Sequence, residues 1–159
     1  MGSRLQDEIK QAKPFTGPEH EATVAIARTA AVLEHRFAEV LKPFGITPTQ
    51  FNALRILRGA GPAGLCRNEV RDRLIARVPD ATRLLDRLVD LGLIIRDRDS
   101  VDRRYVTARI TAAGLELLDR IDPVTDRLNR ESVGRMGPDK LARLIDLLAE
   151  ARASSQGTE

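Results

Sequence analysis

Residues 93–110 constrain the fold more than any other stretch of the chain. Two short runs there, Leu93 to Arg96 and Tyr105 to Ile110, are rich in β-branched and aromatic residues, as strands are. Between them lies a polar segment of alternating charge that ends in Asp102-Arg103-Arg104. Most of the remaining sequence carries apolar residues at helical spacing. The expectation is a mainly α-helical protein with a small two- or three-stranded β-wing. The charged tip of that wing has two uses. Arginines on a hairpin tip can enter a DNA groove, and charges of both signs can pair with one another in solvent. These residues alone leave both open.

The helices can be placed from their start and stop signals. A first helix is predicted from about Pro18 to Lys42, ended by Pro43 and Gly45. Thr47-Pro48-Thr49-Gln50 reads as an N-cap, a proline at the first helical position and a capping-box glutamine. It opens a second helix, which runs to about Gly59. A third, short helix spans about Cys66 to Leu74, with Val70, Leu74 and Ile75 apolar. A fourth covers about Pro79 to Leu91, and Gly92 stops it. Its inward face is predicted to be Ala81, Leu84, Leu85, Leu88 and Leu91. Its outward face then holds Asp80, Thr82, Arg83, Asp86, Arg87 and Asp90. After the wing, Thr111 caps a long helix to about Arg135, which Pro123 is expected to kink. Leu115, Leu118, Ile121, Val124 and Leu128 form its stripe. A last helix opens at Gly137-Pro138-Asp139 with Leu141, Leu144, Ile145 and Leu148 as its apolar face, and residues 154–159 are expected to fray.

Two short helices joined by a turn and followed by a two-stranded wing make a winged helix-turn-helix, whose second helix lies in the major groove. Charge supports that use. Residues 67–109 hold eleven arginines against eight acidic residues, while the rest of the chain is neutral. All four lysines lie outside this stretch. Arginine is the side chain best fitted to bidentate contact with phosphate and guanine. Thr82 and Arg83 fall in the first turn of the fourth helix, and Arg87 follows one turn later. The same helix could instead carry an exposed ion-pair ladder of Arg83, Asp86, Arg87 and Asp90.

Other classes are disfavoured. One cysteine, Cys66, excludes an internal disulfide, and His20 and His35 form no metal-ligand cluster with it. No metal site and no cofactor is expected. No Ser/His/Asp set, glycine-rich phosphate loop or paired-carboxylate motif is present, so no catalytic residues and no enzyme are expected. Asp97, Asp99 and Asp102 lack the glycine and terminal glutamate of a calcium loop. No apolar run reaches the roughly 18 residues of a membrane span, and residues 1–14 contain no signal-peptide core. A cytoplasmic protein without membrane partners is expected.

In combination, these features resemble the MarR family of bacterial transcription regulators over about residues 20–150. The residues that carry the resemblance are Thr49-Gln50-Phe51, Thr82-Arg83-Leu84-Leu85-Asp86-Arg87-Leu88, Gly92-Leu93, Arg96, Asp102-Arg103-Arg104, Ile110-Thr111 and Gly114. Ile110 stands where the family usually has leucine. The resemblance implies a homodimer on a pseudo-palindromic double-stranded operator, a transcription regulator of the repressor type. It divides the chain into a flexible lead-in (1–17), dimerisation helices (18–45 and 112–153) and a winged helix-turn-helix DNA-binding domain (46–111). At the wing it implies that Arg104 enters the minor groove, oriented by Asp102, with Arg98 and Arg103 on phosphates or the groove rim. Arg67 and Asn68 would meet the DNA backbone. It also implies release by a small molecule, often an aromatic or phenolic acid, bound between the dimer helices and the DNA-binding lobe. Arg28, His35 and Arg36 are the candidates to meet its carboxylate, beside their plainer use as surface charge. Two alternatives stand next to this. One is an architectural DNA-binding dimer without a ligand response. The other is a thiol-based sensor acting through Cys66, which lies at a helix start beside Arg67.

Overall fold

The structure is a computed structural model that describes residues 3–98 and 105–156. Its elements, in order, are α1 (Arg4–Glu8), α2 (Pro18–Leu41), α3 (Pro48–Ala60), β1 (Leu65–Cys66), α4 (Arg67–Arg73), α5 (Ala81–Asp90), β2 (Ile94–Arg98), β3 (Val106–Ile110), α6 (Ala112–Val133) and α7 (Pro138–Gln156). Short 3-10 turns follow α2, α3 and α6. The sheet is antiparallel with strand order β1-β3-β2. Leu65 faces Ala108 on one side of β3, and Arg96 faces Ala108 on the other.

Local chemistry sets the boundaries. The Thr47 hydroxyl accepts from Gln50 N–H at 3.2 Å, and the Gln50 amide oxygen accepts from Thr47 N–H at 2.9 Å. This is the expected capping box, and it satisfies two otherwise unpaired helix donors. Gly92, at φ +71°, ends α5. Its N–H donates to Val89 C=O at 2.8 Å, and Leu93 N–H donates to Leu88 C=O at 3.0 Å. That pair of bonds is a Schellman end, and it turns the chain straight into β2. Thr111 caps α6 by accepting from Gly114 N–H at 3.1 Å, and the same hydroxyl donates to Gly92 C=O at 2.8 Å. The base of the wing is therefore tied to the end of α5 and the start of α6 together.

The core is confined to one lobe. Leu41, Leu54, Leu57, Val70, Leu85, Leu88, Ile94, Leu118 and Ile121 are all fully or almost fully buried. They come from the end of α2, from α3 to α5, from β2 and from α6. Arg58 of α3 pairs with Asp122 of α6 at 2.7 Å and fixes the register of these two helices. Outside this lobe little is covered. In 24 residues α2 buries only Leu41, and α7 buries none. Ile145 of α7 is 64% exposed and Leu147 51%.

Several expectations need correction. Within the lead-in, Ser3 caps the short helix Arg4–Glu8, and Glu8 pairs with Arg28 of α2 at 3.1 Å. The third strand of the wing is Leu65–Cys66, too short to show a period in the sequence. Ile75 is 91% exposed, since the chain leaves α4 at Leu74 and Ile75 N–H is drawn to Asn52 Oδ1 at 2.9 Å. Leu91 is half exposed because it is the C-cap of α5. Leu115 is exposed, and the buried stripe of α6 runs through Gly114, Leu118, Ile121, Thr125 and Leu128. Residues 154–156 are still helical.

Candidate nucleic-acid interface

The helix-turn-helix is built from α4 and α5. Asp80 caps α5 by accepting from Arg83 N–H at 2.9 Å. Leu85 and Leu88 bury one face of α5 in the core, which turns Arg83, Asp86, Arg87 and Asp90 to solvent. The solvated ion-pair ladder does not form. Asp86 Oδ1 instead accepts from Arg96 Nη1 at 2.7 Å, across from β2. Among the described residues, Arg83 and Arg87 have no ion-pair partner. Two guanidinium groups one helical turn apart thus stand on the exposed face of α5.

Thr82 is less free than its place in the sequence suggests. It is half-buried, and its hydroxyl accepts from Arg67 Nη1 at 3.2 Å. Its carbonyl accepts from Arg96 Nη2 at 3.2 Å. Arg67 also reaches Asn68 Oδ1 at 3.4 Å, so the start of α4 and the first turn of α5 form one polar cluster. Cys66 is the half-buried N-cap of α4. Its N–H donates to Glu69 Oε2 at 2.8 Å, and this bond holds the Glu69 carboxyl below its usual range.

On the wing, Arg98 is exposed at the last position of β2, and Asp97 is paired with Arg109 across the strands. Asp102, Arg103 and Arg104 lie outside the described residues. The structure thus gathers Arg67, Asn68, Thr82, Arg83 and Arg87 around α4 and α5, with Arg98 at the end of β2. Arg96 joins this set without any role that the sequence alone gives it. Its signal was a strand position facing Ala108, on the sheet face turned toward the core.

The residues assigned to a ligand share one helix. Arg28, His35 and Arg36 are all exposed on α2. Arg28 is engaged by Glu8, and Arg36 donates to the Ser132 hydroxyl at 2.9 Å. A cleft of about 410 Å³ lies elsewhere, between α4, α5 and the wing, lined by Cys66, Arg67, Thr82, Leu85, Arg96 and Tyr105 among others. Among the described residues no three metal-binding side chains come together. No described helix is long and apolar enough to cross a membrane.

Comparison with known proteins agrees with this geometry. The family model described as "MarR family" matches residues 44–104, the span from the end of α2 to the wing. The uncharacterized HTH-type transcriptional regulator YkoM of Bacillus subtilis is 32% identical over 126 residues, covering 79% of this chain and 80% of YkoM. The crystal structure of a MarR transcription factor from Planctomyces limnophilus is 34% identical, with a TM-score of 0.67 over 85% of this chain and 98% of that one. A mutant of MarR from E. coli, complexed with operator DNA, is 27% identical, with a TM-score of 0.74 over 94% of this chain and 99% of that one. Identity above 30% over four fifths or more of two of these relatives, on the same winged helix-turn-helix frame, makes this chain a member of the MarR family of DNA-binding transcription regulators.

Proposed function

We propose that the protein is a homodimeric repressor that recognises a pseudo-palindromic operator, with α5 in the major groove and the wing in the adjacent minor groove. The observation that carries this reading is the exposed face of α5, where Arg83 and Arg87 have no ion-pair partner among the described residues and Asp86 is drawn aside by Arg96. Arginines held in that way can meet guanine or phosphate without first breaking an ion pair. Two-fold pairing through α2 and α7 would cover their open apolar faces and set the two α5 helices about one DNA turn apart. Asp102, Arg103 and Arg104 keep the wing roles that the resemblance gives them, and Arg67 and Asn68 the backbone contacts. A dimer seated on a promoter represses by occupying it, and such a task places the protein in the cytoplasm.

The test is a titration of a selected operator and of random duplex DNA. Arg83→Ala is expected to cost about 1–3 kcal/mol on the operator and far less on random DNA. Arg104→Ala is expected to weaken operator binding strongly while the dimer stays intact. Equal affinity of the unaltered protein for operator and random DNA would favour the architectural dimer. Unchanged operator affinity in both variants would refute the assignment.

Release by a small aromatic or phenolic acid is part of the same proposal. Support comes from the cleft beside α5, which Arg67, Leu85, Arg96 and Tyr105 line among others. Its size falls within the range of small-molecule sites. A bound acid is expected to raise the melting temperature and lower operator affinity. No thermal shift across a panel of such acids, with a shift after thiol oxidation, would move the response to Cys66.

A further inference from the structure

We infer that Arg96 is a positioning residue for sequence discrimination: it touches no DNA, fixes the attitude of α5, and keeps Asp86 away from Arg83. The inference deepens the reading of α5 as the recognition helix and rests on it.

The geometry is specific. Arg96 is the third residue of β2, opposite the buried Ala108, so its side chain leaves the sheet on the face turned toward the core. Its side chain is only 28% exposed. One arm of the guanidinium holds the Asp86 carboxylate at 2.7 Å and the other holds the Thr82 carbonyl at 3.2 Å. Thr82 and Asp86 are one turn apart, so the fork grips α5 at two heights along one side. Arg67 grips Thr82 again from α4 through its hydroxyl. Apolar contact through Leu85 and Leu88 sets how close α5 lies to the core, yet such contact is non-directional. A planar fork on two acceptors is directional and resists rotation of the helix about its axis. Reading base edges demands that the side chains be held to within about half an ångström.

The second effect is electrostatic. Asp86 lies three residues after Arg83, within pairing distance on a helix surface. Without Arg96 the carboxylate is free to pair with Arg83 and to compete with the base edge that Arg83 reads. A lysine cannot replace the fork, because it offers a point charge without two fixed donors.

The experiment measures affinity for a selected operator and for random duplex DNA over a salt series, with full-length protein. Arg96→Ala and Arg96→Lys are each expected to lower the operator-to-random ratio by about tenfold or more, on the scale of a lost base readout. Affinity for random DNA and the salt slope are expected to stay unchanged. Asp86→Ala breaks the pair from its other side, which covers the case of a poorly folded Arg96 variant. The double variant is expected to lose no more discrimination than Arg96→Ala alone. General loss of folded protein would reduce both affinities by one factor and overturn the inference. So would a fall in the salt slope of about one, which marks a phosphate contact. Arg83→Ala separates the two levels. Discrimination lost there but kept in Arg96→Ala overturns the positioning role alone. Discrimination kept in both overturns the reading of α5 and the inference with it.

Discussion

Ile145→Glu is expected to turn the dimer into a monomer and to remove high-affinity operator binding. Ile145 is 64% exposed in the single chain, on a helix that buries nothing of its own. A 19-residue helix in that state has little to hold it, since helices in proteins draw most of their stability from packing. The proposed partner supplies that packing. A carboxylate placed there costs roughly 3 kcal/mol in desolvation, is present twice in a two-fold interface, and so raises the dimer dissociation constant by about 10⁴-fold. Loss of the second DNA-binding lobe then lowers operator affinity by a further ~10²-fold or more. Sedimentation of the variant beside the unaltered protein checks the first effect, and an operator titration checks the second. A variant that sediments as an unperturbed dimer places the interface elsewhere. The lobe around α3 to α6 keeps its own core and is expected to stay folded in the monomer.

Gly114→Ala is expected to strike that lobe instead. A Cβ on Gly114 would lie 2.4 Å from the Leu93 carbonyl oxygen and 2.7 Å from Ile110 Cγ1. The first of these is backbone and cannot turn aside. It belongs to the residue whose carbonyl accepts from Thr111 N–H at 3.0 Å. The added methyl therefore pushes the start of α6 away from the base of the wing and strains both Thr111 bonds. Overpacking of this kind costs about 1–3 kcal/mol. Thermal unfolding followed by circular dichroism is expected to show a lower melting temperature by several degrees. Glycine at this place is thus a requirement of close approach, and an unchanged melting curve would show that α6 can shift freely.

Much of the frame was readable because its signals are local. The capping box at Thr47, the stop at Gly92 and the apolar periods of α5 and α6 each involve residues a few positions apart. The strand β1 and the exposure of Ile75 were not readable, because each depends on a partner far along the chain, Ala108 in one case and Asn52 in the other. The interface divides in the same way. Arg83 and Arg87 follow from helical spacing. The capture of Asp86 by Arg96 joins positions ten residues apart across a helix end and a glycine turn, and no period marks it. The ligand candidates Arg28, His35 and Arg36 came from residue type and from the resemblance, which sets the pocket between the dimer helices and the DNA-binding lobe; the single chain leaves all three exposed on α2.

The bare surface of α7 has a consequence for how the cell keeps this protein. If the helix is secured only by a second chain, the fraction of complete molecules follows mass action and rises with the amount of protein made. At low copy number newly made chains would carry a folded lobe and a loose C-terminal helix, the kind of frayed end that proteases grip first. Degradation would then fall hardest on the scarce, unpaired chains. Abundance itself would become a threshold, below which the regulator is cleared and above which it persists.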